Sequence, residues 1–68
     1  MDQETFNLGI RKFLKMVGVN SQREIEQAVF KALENGTLKG DEALTARVVL
    51  EIPQLGLKVP FEGEIKLK

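Results

Sequence analysis

Glu62 and Glu64 stand two residues apart near the end of the chain. In an extended segment that spacing puts both carboxylates on one face, roughly 7 Å apart. Such a pair leaves a carboxylate-dependent reaction, or oxygen-only binding of a divalent cation, formally open. The plainer reading is stronger. Glu62 is expected to face Arg47 across a hairpin, no dense Asp/Asn loop accompanies the pair, and nothing in so short a chain suggests a deep pocket. We read the pair as salt-bridged, solubilising surface. The rest of the chemistry is thin. The sequence has no histidine, cysteine or tyrosine, which removes the commonest general base and two of the usual nucleophiles. Ser21 has no histidine to activate it. Disulfides and zinc sites of the Cys/His kind are excluded by the same count. The expectation is no catalytic residue, no metal site, no cofactor and no enzymatic activity.

Two features touch nucleic-acid or anion binding. Arg11, Lys12 and Lys15 lie together on the polar side of an amphipathic run, near its C-terminal end. Solvation and the helix dipole account for them there more simply than an anion site does. The stretch "GVNSQREIEQAV", residues 18–29, has the layout of a turn followed by a recognition helix. Aligning Gly18 with the turn glycine of a helix-turn-helix puts Glu24 where an apolar residue is buried. It also puts Leu14 where a small one is usual. Arg23 and Lys31 are outnumbered on the second run by Glu24, Glu26 and Glu34. An acidic helix suits a phosphate-lined groove poorly. With few aromatics, mostly core-facing, a base-stacking platform is unsupported as well.

The elements that must position these residues follow from periodicity. Phe6, Ile10, Phe13, Leu14 and Val17 recur on one face of a helix over about residues 3–17, with Asp2 as N-cap and Gly18 at C′. Ser21 and Glu24 have capping-box spacing, which predicts a second helix over about 22–35. Its apolar face is Ile25, Ala28, Val29, Ala32 and Leu33, and Asn35-Gly36 ends it. From Leu44 the period changes to two, predicting strands over about 44–52 and 57–67 joined by "PQLG". A four-residue loop sets Ile52 opposite Leu57. Leu50 then faces Val59, Val48 faces Phe61, Ala46 faces Gly63 and Leu44 faces Ile65 on the apolar side. Glu51 faces Lys58, and Arg47 faces Glu62, on the polar side. Pro60 is tolerated only if its missing N–H points away from the partner strand.

These 68 residues predict one small α+β domain, residues 1–68, with two N-terminal helices packed on a C-terminal antiparallel hairpin. A domain of this size is marginal alone and is often stapled by disulfides, metal or oligomerisation. With disulfides and Cys/His zinc sites excluded, oligomerisation is the remaining staple, and a homodimer is the expected state. It would join two hairpins into a four-stranded sheet through the first strand, about a two-fold axis near Val48. The candidate interface is Leu44, Ala46, Val48, Val49 and Leu50, with Phe30 set off the apolar face of its helix and free either to be incidental or to extend a contact surface. Ten basic and ten acidic residues cancel, so no long-range field recruits nucleic acid or an anionic membrane. No apolar run nears the roughly 20 residues of a membrane span. The acidic start, "MDQETFN", lacks the pattern of a secretion signal, and a cytoplasmic location is expected.

The blocks "TFNLGIRKFLKMVGVNSQREIEQAV" and "LTARVVLEI...LGL...FEGEIKL" resemble a family of short bacterial proteins known only as a domain of unknown function. The resemblance spans nearly the whole chain, and Thr5 to Val29 is its most specific part. Members often carry threonine at the position of Asn20 and a polar residue at that of Phe30. The second departure weakens the case for Phe30 in any shared site. The resemblance implies no activity and no catalytic residues. The favoured reading is therefore a non-enzymatic, self-associating protein-interaction module. A weak helix-turn-helix-like nucleic-acid binder is the alternative, and a carboxylate-dependent enzyme comes third.

Overall fold

The computed structural model describes all 68 residues and divides into two units, Met1–Thr37 and Leu38–Lys68. The first unit is a single helix, α1, Gln3–Glu34. Asp2 caps it: its carboxylate accepts from the amides of Glu4 at 3.0 Å and Thr5 at 3.3 Å, and from the Thr5 hydroxyl at 3.0 Å. At the other end the Asn35 amide donates to the Lys31 carbonyl, and Gly36 turns the chain with φ of 82°. The Asn35 side chain accepts from the amide and the hydroxyl of Thr37, at 3.0 and 2.6 Å.

One helix stands where two were expected. Gly18 does not take the left-handed conformation of a helix terminator; only Gly36, Gly40 and Gly56 have positive φ. Ser21 lies inside α1 and caps nothing. Three physical reasons favour continuity. Residues 18–21 are weak helix formers, but none is proline, so no i→i−4 bond is forfeited. Asn20, whose amide could have drawn the backbone into a turn, donates instead to the Met16 carbonyl at 2.9 Å, within the helix. Above all, the two apolar runs are already in phase. Phe6, Ile10, Leu14, Val17, Ser21, Ile25, Ala28 and Ala32 follow one another at spacings of 4-4-3, which traces one side of a continuous helix. A turn would have gained nothing that a straight helix lacks.

The second unit is an antiparallel hairpin of β1, Ala43–Ile52, and β2, Leu57–Lys66, closed by a 3₁₀ turn at Pro53–Leu55. Proline pre-sets φ at the first position of that turn, and Gly56 leaves it at φ 63°, ψ 22°. The register is the predicted one throughout. Ile52 faces Leu57, Leu50 faces Val59, Val48 faces Phe61, Ala46 faces Gly63, Leu44 faces Ile65, and the charged pairs Glu51–Lys58 and Arg47–Glu62 share the other face. The approach to β1 is held by Glu42, whose carboxylate accepts from the Lys39 amide at 2.9 Å and the Gly40 amide at 3.0 Å.

Neither unit has a core of its own. No residue of the chain is buried, and all four phenylalanines, Phe6, Phe13, Phe30 and Phe61, are 46–62% exposed. Apolar side chains are gathered onto common faces and are at most half-buried there.

Candidate interaction surface

On the hairpin, alternation gives two unlike faces. Leu44, Ala46, Val48, Leu50 and Ile52 of β1 share one face with Leu57, Val59, Phe61 and Ile65 of β2. Val48, Ile52 and Phe61 remain exposed there. Thr45, Arg47, Val49 and Glu51 lie on the other face with Lys58, Pro60, Glu62 and Glu64. Val49 is the one large apolar residue that β1 places there, and it too is exposed.

The two edges also differ. The Leu67 amide donates to the Glu42 carbonyl at 3.1 Å, one step beyond the Ala43–Lys66 pair. That bond fixes the parity of the ladder: even-numbered β1 residues bond to β2, and odd-numbered ones direct N–H and C=O away from it. Val49 faces Pro60, so Pro60 falls at an outward position and its missing N–H costs the hairpin nothing. The free edge of β2 is therefore interrupted at its middle. Ala43, Thr45, Arg47, Val49 and Glu51 give the free edge of β1 an unbroken row of donors and acceptors, with neither proline nor lysine to blunt it.

On the side of α1 away from Phe6, Ile10 and Val17, Leu8, Val19 and Phe30 recur every 11 residues and are 49%, 50% and 62% exposed. Lys12, Lys15, Arg23 and Glu26 stand between them on the same side, so the three are single apolar residues on a charged face and form no continuous patch.

The chemistry-bearing residues do not converge. Glu62 lies 3.9 Å from Arg47 across the strands, with both side chains about 60% exposed, so the pair is worth little to stability. No three His, Cys, Asp or Glu side chains come together in a way that could hold a metal ion. Two carboxyls are held below their ordinary pKa, both by hydrogen bonds from neighbouring donors. For Asp2 the causes are the Thr5 amide, the Thr5 hydroxyl and the Glu4 amide. For Glu42 they are the amides of Lys39 and Gly40. Glu42 was not singled out by the sequence, because its donors lie in a loop that no periodicity marks. The helix-turn-helix reading fails outright, because residues 18–29 contain no turn and no separate recognition helix. No helix is long and apolar enough to cross a membrane.

A helix followed by an antiparallel two-stranded hairpin, α+β in class, is the architecture these residues define. The chain belongs to the DUF6494 family, a family of unknown function, whose model matches residues 1–68. Neither the curated proteins nor the solved structures contain a match to it.

Proposed function

We propose that this protein is a non-enzymatic, self-associating interaction module whose working form is a homodimer built around a four-stranded sheet. The observation that carries the reading is the missing core: 16 large apolar side chains are exposed and none is buried.

Closure within one chain is the competing solution. Light scattering at ~100 μM, far above the Kd of a dimer that folds on association, should return twice the chain mass. A monomer mass would overturn the reading. The absence of histidine, cysteine and tyrosine supports the non-enzymatic part of the proposal.

A further inference from the structure

The free edge of β1 specifies its partner and its register. We infer that β1 pairs antiparallel with β1 of a second copy about a two-fold axis through Val49. The inference rests on the self-association proposed above and adds which edge pairs, and where.

Pairing through the edge of β2 would set strands together at a position where Pro60 offers no N–H. Pairing β1 to the partner's β2 would leave one β1 and one β2 edge open, a head-to-tail contact that does not close. Only β1 with β1 uses the uninterrupted row twice and ends the assembly on the two edges blunted by proline and lysine.

Four registers keep the apolar face continuous and overlap at least seven of the ten residues of β1. They are distinguished by the charges on the opposite face. An axis at Ala46 sets Arg47 against the partner's Thr45 and Val49 against the partner's Ala43, so no opposite charges meet, and Glu51 falls outside the paired stretch. An axis at Arg47 sets two arginines directly opposite, which is destabilising. An axis at Val48 sets Arg47 against the partner's Val49, and Glu51 against the partner's Thr45, so no opposite charges meet. An axis at Val49 sets Arg47 against the partner's Glu51, twice by symmetry. Because Arg47 already faces Glu62 and Glu51 already faces Lys58, the row across the sheet becomes Glu62, Arg47, the partner's Glu51, the partner's Lys58. Charges alternate through all four strands. The next row holds Pro60, Val49, the partner's Val49 and the partner's Pro60, which covers the one apolar residue that β1 exposes on its polar face. On the other face Ala46, which sits beside Gly63, meets the partner's Ile52, so small stands opposite large. The symmetric pair at Val49 is also a hydrogen-bonded one, since Val49 directs both its backbone groups outward.

The chain has no cysteine, so single cysteines report the register directly. In full-length protein under mild oxidation, V49C should give a disulfide-linked dimer about tenfold faster than A46C, R47C or V48C, because only opposite positions bring Cα atoms within bridging distance. Faster linkage at position 46, 47 or 48 would overturn the Val49 axis. A wild-type dimer by light scattering with no linkage at 46, 47, 48 or 49 would overturn the edge and leave self-association standing. A wild-type monomer would overturn both. A second pair of variants is read by mass. V49P, which deletes an outward N–H of β1, should lose the dimer, and E64P, which deletes one on the free edge of β2, should keep it. Equal masses for the two would refute the asymmetry of the edges.

Discussion

At the scale of single residues, the polar side chains organise backbone and do not assemble a reaction centre. Asp2 and Glu42 each turn a carboxylate onto two amides, and both are held below their ordinary pKa by those bonds. A carboxyl whose folded pKa is depressed contributes stability above its unfolded pKa and loses it as pH falls through the folded one. For Glu42 the loss therefore begins below the ordinary glutamate value of about 4.3. The expected outcome is that exchange protection at the Lys39 and Gly40 amides is constant near neutrality and falls on acidification below that value. Glu42→Gln should remove the pH dependence, and protection that stays flat in the wild type would show that these bonds do not hold the turn. Asp2 was legible as a cap because a helix start must place an acceptor just before its first free amides. Glu42 was not, because its donors belong to a loop whose shape no periodicity announces.

At the scale of elements, the hairpin was read almost to the residue and the helix was read in two pieces. The difference is physical. Alternation has a period of two, so a register slip of one residue would turn Val48 and Leu50 into water and Arg47 inward, and "PQLG" fixes the loop length. The helix boundary rested on local signals: a glycine, a serine, a glutamate at capping distance. Such signals say that a cap is available. They do not say that the chain uses it when the flanking apolar runs are already in phase. Continuity has a direct test. Gly18 is helical, and a Cβ placed there meets nothing within 4 Å, so Gly18→Ala should raise the unfolding free energy, read from chemical denaturation, by up to about 1 kcal/mol. Ser21→Ala, in mid-helix, should change stability by no more than about 0.5 kcal/mol and in the favourable direction. If Gly18 terminated a helix and Ser21 capped another, both substitutions would destabilise, so a loss in both would restore the two-helix reading.

At the scale of the whole molecule, the apolar pattern is organised and unburied at once, and that combination decides how the chain should melt. Faces as regular as those of β1, β2 and α1 are what a core requires, yet neither α1 nor the hairpin fully buries a residue by itself. If folding is completed by association, the folded state binds its own second copy while the unfolded state does not, and stability becomes inseparable from concentration. The size of the effect follows from the unfolding enthalpy. At about 0.7 kcal/mol per residue, two chains of 68 residues unfold together with roughly 95 kcal/mol. A tenfold rise in protein concentration then raises Tm by about 5 °C. Circular dichroism melts between ~5 and ~500 μM should show close to two such steps, with helix and strand signals lost in one transition. A Tm independent of concentration would mean that one chain completes its own core, and the dimer would have to be abandoned. Two separate transitions would be equally decisive. They would show that α1 and the hairpin do not share a core even in the assembly, and the proposed sheet would then be a contact between finished units, not the event that folds them.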